Sequence, residues 1–227
     1  MKYKLLLFDA DETLFDFKKT EAEALKKLFS SMNTDLELDV LLDTYKDINK
    51  NIWKEFEDGK ISLASLKIER FERLCQSLNL STNATQMGLD FEDYLGEGSY
   101  LYDETEDLLA YLSQNYKIGI VTNGLAKVQN KRIRNSKVSS YFEHVIISGE
   151  INLAKPDRKI FDYTLDLFNH TDRSSVLMIG DKLSSDILGG LNSKIDTCWF
   201  NSDKSINNLD INPTFEINNL SELKNIL

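Results

Sequence analysis

A doubly wound α/β fold, in which helices cover both faces of a Rossmann-like parallel sheet, is what this 227-residue chain predicts. Three observations carry that expectation. Short, wholly apolar runs recur, each closing on a polar residue, a glycine or a turn; helical periodicity flanks or separates the later ones; and a long stretch of helical pattern interrupts the alternation after the first run.

The first run, KLLLFD over 4–9, is too short for a helix and apolar on both alternating faces, which suits a buried strand. Beyond it, EAEALKKLF, DVLLDTYKDINKNIWKEF, SLASLKIERFERLCQSL and FEDYL place apolar residues at i, i+3 and i+4. No ordinary strand-to-strand connection needs that length. An inserted α-helical cap is therefore expected over 16–98, leaving 1–15 and 99–227 as the core, with GEGSYLYDET as the hinge-like link back. ETEDLLAYLSQ then reads as a helix before the strand KIGIVTNG (117–124), and LAKVQNKRIRN as a helix before HVIISG (144–149). PDRKIFDYTLDLF leads to SVLMIGD (175–181), and SSDILGGLN to DTCWF (196–200). Strands and helices alternating in this way imply right-handed crossovers.

Apolar residues at 41% and charged residues at 28% describe an ordinary globular protein. A net charge of −10 argues against binding a nucleic-acid polymer, which needs a basic footprint. An anionic substrate would need local cations to overcome that charge. No apolar run approaches the ~18 residues of a membrane span, and no leader pattern opens the chain, so a cytoplasmic location without a membrane partner is expected. Cys75 and Cys198 match no metal-ligand spacing and read as buried free thiols. His144 and His170 lack a nucleophile partner in sequence and read as structural, and Gly189-Gly190 lacks the pattern of a dinucleotide fingerprint. Trp53, Phe56, Phe71 and Tyr94 read as packing residues of the helical insertion rather than base-stacking ones. A monomer or small homo-oligomer is expected.

Ligands of an open parallel sheet bind beyond the carboxyl ends of its strands, and the polar residues of this chain collect there. Asp9 and Asp11 follow the first strand, Thr122 and Asn123 the second, Lys155 the third after a short loop, and Asp181 and Asp186 the fourth. Each has an ordinary role when taken alone: a helix cap or turn for the aspartates, a backbone contact for Thr122, a solvated loop for Lys155. Their convergence on one rim favours chemistry. Two carboxylates ~4 Å apart repel by roughly 4 kcal/mol at an effective dielectric of about 20, so a cation or a shared proton must relieve them. Oxygen donors without His or Cys indicate a hard ion, Mg²⁺. A phosphate would complete its shell, with Lys155 and Thr122 on the remaining oxygens, and phosphoryl transfer follows.

DADET (9–13), TNG (122–124), AKPD (154–157) and GDKLSSD (180–186) resemble, in order, the four motifs of the haloacid dehalogenase-like hydrolase superfamily. That resemblance implies Asp9 as nucleophile and Asp11 as general acid and base. It implies Mg²⁺ held by Asp9, the Asp11 carbonyl and Asp181, with Asp186 supporting the metal's waters. Thr122, the Asn123 amide and Lys155 would hold the phosphoryl oxygens. DILGGLNSKIDTCWFN and PTFEINNLSEL are similar to the YjjG-type pyrimidine 5′-nucleotidases, which implies a nucleoside monophosphate substrate. Lys182 and Asn152 depart from that pattern, standing where a small hydroxyl residue and a glycine are usual. A sugar-phosphate or phosphoglycolate-type phosphatase is the alternative. Dehalogenase chemistry is disfavoured by Asp11, since a halide needs no proton. A phospho-accepting receiver module is disfavoured by the inserted helices.

Overall fold

In the computed structural model, which describes residues Met1–Leu227, the apolar runs are five strands of one six-stranded parallel sheet. These are β1 (Leu5–Phe8), β2 (Lys117–Thr122), β3 (His144–Ile147), β4 (Val176–Gly180) and β5 (Asp196–Phe200), with a short β6 (Phe215–Ile217) at one edge. The order is β3-β2-β1-β4-β5-β6, and every neighbouring pair is parallel. From β1 the chain winds first towards β3 and then, from β4, the other way, so β1 and β4 flank the switch point where such sheets bind ligands. Their registers match: Phe8 lies opposite Ile120 on one side and Ile179 on the other, which brings the residues just past all three strands to one level.

Alternation along β1 builds both faces of the core. Leu6 and Phe8 pack with Leu108, Leu109 and Leu112 of α5 (Thr105–Leu112). Leu5 and Leu7 pack with Ile160, Phe161 and Leu165 of α8 (Arg158–Leu167). β6 is the one strand the sequence reading did not identify. It has only three residues, its centre is the exposed Glu216, and it lies at the sheet edge, so it carries none of the apolar signal of the inner strands.

The chain divides into two units, Met1–Phe17 with Ser99–Leu227 and Lys18–Gly98. Asp16 stays with the sheet because its N–H donates to the Tyr100 carbonyl (3.1 Å) beside a Phe15–Leu101 bridge. The helical unit consists of α1 (Phe17–Ser30, from Lys18 onwards), α2 (Leu38–Glu57), α3 (Leu63–Leu78) and α4 (Ala84–Glu97). Ser62 and Asn83 cap α3 and α4, accepting from the N–H of Ser65 and Gln86 at 3.0 and 3.1 Å. Its centre is aromatic: Phe71 lies 5.7 Å from Tyr45 and 5.4 Å from Phe91, with the buried Arg70 guanidinium over Phe91. Of the aromatic residues named from the sequence, Phe71 is core, whereas Trp53, Phe56 and Tyr94 are partly exposed.

Of the two thiols, Cys198 is buried on β5, but Cys75 is only partly covered, a correction to the sequence reading. It sits near the end of α3, where Met87 covers one side, 3.7 Å from sulfur to sulfur. His144 packs edge-on against Phe168, and His170 contacts the Ser175 hydroxyl at 2.9 Å, both structural arrangements. No helix is long and apolar enough to cross a membrane.

Candidate active site

β1 ends in a loop folded tightly on itself. The N–H groups of Leu14 and Phe15 both donate to the Ala10 carbonyl at 2.9 Å, and Glu12 takes the left-handed conformation with φ of 60°. This loop carries Asp9, nine-tenths buried, and Asp11, which is partly open.

Two further carboxylates meet Asp9. Asp9, Asp181 and Asp186 each offer an oxygen within 4.8 Å of the others. Lys155 lies among them, its Nζ 2.5 Å from Asp9 Oδ1 and 2.7 Å from Asp186 Oδ1. Each member is held from behind. The Asn123 side chain grips the Lys155 backbone in both directions, donating from Nδ2 to its carbonyl and accepting its N–H at Oδ1, each at 2.9 Å. The Trp199 indole N–H donates to the Asp181 carbonyl at 2.8 Å, which gives the TCW strand a positioning role. Asp186 stands on a wide helical turn, Leu183–Ile187, and its Oδ2 accepts the Lys182 N–H at 2.9 Å. A β-carbon on Gly180 would overlap Asp186 Oδ2, so this strand end has room for glycine alone.

Crowding sets the protonation of the cluster. Burial pushes Asp9 up to about 7, with Asp186 and Asp11 adding to the rise and Lys155 opposing it. Asp181 is raised to about 8 by burial and then by the Asp186 and Asp9 charges. Burial works against the Lys155 ammonium, but Asp186 and Asp9 outweigh it and hold its pKa above the ordinary lysine value. With all three carboxylates ionised, one ammonium would leave two negative charges in a buried space, which protons relieve here and a divalent cation would relieve equally. The donor set is oxygen alone, and the deficit is that of one divalent cation, so these residues fit Mg²⁺.

Asp11 faces elsewhere. Its Oδ1 accepts from Arg132 Nη1 at 2.6 Å and its Oδ2 from Gln129 Nε2 at 2.8 Å. The same Gln129 nitrogen donates to Thr122 Oγ1 at 3.0 Å. The carboxylate trio is thus Asp9, Asp181 and Asp186; the Asp11 side chain is not part of it. Gln129 and Arg132, on α6 (Ala126–Arg134), are the residues that sequence reading missed. The signal available was a polar i, i+3 pair between Val128 and Ile133, and only burial distinguishes it from a solvated helix face.

The two departures have local explanations. Asn152 sits at φ of 55° at the end of the short helix α7 (Ser148–Ile151), a left-handed position where asparagine is the usual substitute for glycine. Lys182 contributes its backbone N–H to Asp186, and its side chain is exposed.

A family profile described as haloacid dehalogenase-like hydrolase matches residues 6–200. The chain belongs to the haloacid dehalogenase-like hydrolase family. The hydrolase is 35% identical to the pyrimidine 5′-nucleotidase YjjG of Escherichia coli, covering 100% of this chain and 99% of that protein. It is 33% identical to the pyrimidine 5′-nucleotidase PynA of Streptococcus pneumoniae, covering 100% and 98%. Among solved structures, the HAD-hydrolase YfnB of Bacillus subtilis, bound to magnesium and described as revealing interdomain movement, matches with a TM-score of 0.93 at 36% identity, covering 100% of this chain and 99% of that one.

Proposed function

We propose that this hydrolase is a Mg²⁺-dependent phosphomonoesterase that works through a phosphorylated Asp9 and takes pyrimidine nucleoside 5′-monophosphates as substrates. The observation that carries the reading is the division of labour between two carboxylates on one loop. Asp9 lies against Lys155 and the Asp181–Asp186 pair, whereas Asp11 lies against Arg132 and Gln129. Acid–base and nucleophilic roles need such different surroundings.

An Asp9 oxygen attacks phosphorus while the bond to the ester oxygen breaks, and Asp11 passes a proton to that leaving oxygen. Water then attacks the phosphorylated Asp9, Asp11 takes the water's proton, and the Asp9–phosphorus bond breaks to release phosphate. Thr122, the Asn123 N–H and Lys155 take the phosphoryl oxygens and stabilise charge that moves onto them. Mg²⁺ would be held by Asp9, Asp181 and the Asp11 carbonyl, with Asp186 behind them; when bound it neutralises phosphoryl charge and so lets one anion approach another. The pyrimidine preference rests on the two nucleotidase relatives that match the whole chain, and the helical unit Lys18–Gly98 is where substrate choice is expected to reside. Interdomain movement in YfnB supports a helical unit that changes position during turnover. The substrate is a small cytoplasmic molecule, and a monomer or small homo-oligomer suffices for this chemistry.

The test is kcat/KM for UMP, dUMP and dTMP beside AMP, GMP and phosphoglycolate at equal Mg²⁺, with Asp9→Asn as the inactive control. Selection by ring size is worth on the order of 1–3 kcal/mol, so a preference of about tenfold is expected rather than exclusion. Purine nucleotides or phosphoglycolate leading by about tenfold would remove the pyrimidine assignment. Multiple turnovers by Asp9→Asn at the wild-type rate would remove the nucleophile.

A further inference from the structure

Arg132 is the largest fully buried side chain of the protein and makes contacts in three directions. Its Nη1 donates to Asp11 Oδ1 at 2.6 Å and to Gln129 Oε1 at 2.7 Å. Its guanidinium lies 4.8 Å from the Phe17 ring centre and 5.6 Å from that of Phe15. Its carbonyl accepts from the Ser99 hydroxyl at 2.8 Å. Phe17 and Ser99 are the residues at which the chain leaves the sheet unit and re-enters it.

A guanidinium only donates, so the Gln129 group facing it must be the carbonyl. That fixes the amide and turns Nε2 towards Asp11 Oδ2 and Thr122 Oγ1, at 2.8 and 3.0 Å. Both Asp11 oxygens are therefore addressed by donors whose orientation Arg132 sets. Gln129 is itself buried, and a β-carbon on Gly124 would fall 2.9 Å from its Cγ, so the amide has little freedom to turn away.

We propose that Arg132 and Gln129 are positioning residues for Asp11, and that Arg132 couples the Asp11 side chain to both chain crossings at Phe17 and Ser99. The proposal rests on Asp11 as the proton-transfer residue. A carboxylate clamped at both oxygens has to leave one donor before it can hand a proton to a leaving group. The residue that releases it touches both crossings, Phe17 through its guanidinium and Ser99 through its backbone carbonyl, so displacement of either crossing is felt at the residue that holds Asp11.

Two arms test this. The first is a double-mutant cycle on the phosphorylation burst with an alkyl phosphate, using Arg132→Met, Arg132→Lys and Gln129→Leu in the wild-type and Asp11→Asn backgrounds. Arg132→Met should slow the burst by about tenfold or more when Asp11 is present and by less than about twofold when it is not. Arg132→Lys should recover part of the loss, and p-nitrophenyl phosphate, whose leaving group needs little protonation, should be less affected. Equal losses in both backgrounds and with both esters would mean a merely structural role and overturn the proposal; Gln129→Leu decides the same point if Arg132→Met does not fold. The second arm needs no turnover: the Phe17 and Ser99 amide resonances of the metal-free protein should shift in Asp11→Asn and in Gln129→Leu but not in Asp9→Asn. Unmoved resonances would overturn the coupling. A wild-type protein inactive on every phosphate ester would sink the proposed function instead, and the resonances would then decide the coupling alone.

Discussion

Burial and neighbouring negative charge raise the pKa of Asp9 and Asp181, and this makes the fold sensitive to pH in a definite direction. Their folded-state pKa values, about 7 and about 8, lie above the ordinary 3.8. Between those limits the folded chain holds protons that the unfolded chain has released, so the stability these groups contribute is complete below the ordinary value. It is lost as pH rises through 7 and 8. Held by these carboxylates as proposed, Mg²⁺ would compete with the same protons. The melting temperature of the metal-free protein should therefore fall from pH 5 towards pH 9 as far as these residues control it. The rise in melting temperature on adding Mg²⁺ should be larger at pH 8 than at pH 6. Thermal scans with and without Mg²⁺ across that range check both statements, and a Mg²⁺ effect that shrinks with rising pH would contradict the assignment of these carboxylates to the metal.

Elements set the distances of the site by how closely they approach, and β4 with the wide turn after it is the tightest case. Gly180 ends the strand, and a methyl group there would collide with Asp186 Oδ2, which also receives the Lys182 N–H. Gly180→Ala should push Asp186 away from Lys155, cost about 1–3 kcal/mol in urea unfolding, and lower activity at saturating Mg²⁺. An unchanged midpoint and activity would show that the turn has slack. The neighbouring Gly189-Gly190 pair serves packing in the same manner: a β-carbon on Gly189 would sit 2.6 Å from Phe161 of α8 and one on Gly190 would overlap Thr197 of β5, so these glycines let their helix close onto both a neighbouring helix and the sheet. The strands themselves were legible because a buried parallel strand must be apolar on both faces, and 4–9 or 175–181 can hardly be anything else. The Phe215–Ile217 strand was not legible, since three residues at an edge, of which only Ile217 is buried, carry no such constraint.

Across the whole molecule, one continuous segment, Lys18–Gly98, has an interior of its own around Tyr45, Phe71 and Phe91, while the sheet unit is assembled from two segments on either side of it. A domain whose core closes within one segment should fold alone. Residues 18–98 expressed by themselves should give a helical far-UV spectrum and a single cooperative thermal transition. A featureless or non-cooperative melt would show that the helices need the sheet unit to order them. The long helical interruption was visible in sequence as a change of period, from short apolar runs to i, i+3, i+4 spacing. Its limits were less visible, because the bridge between Phe15 and Leu101 that keeps Asp16 and Phe17 with the sheet is a tertiary contact.

What the sequence determined by itself was local. Burial of 5–8 follows from its composition, Asp9 and Asp11 follow that strand because the chain places them there, and four short motifs name the rim residues in order. What the tertiary structure decided was which of these groups face each other. Lys155 reaches Asp9 across 146 positions, and Gln129 and Arg132 reach Asp11 across 118 and 121. Those meetings depend on β1 lying between β2 and β4, and strand order is a property of long-range pairing that no window of sequence contains. For the same reason α6 read as a polar helix among others, although burial makes Arg132 a partner of Asp11: a guanidinium is written identically in sequence whether water or a carboxylate surrounds it, and only the fold removes the water.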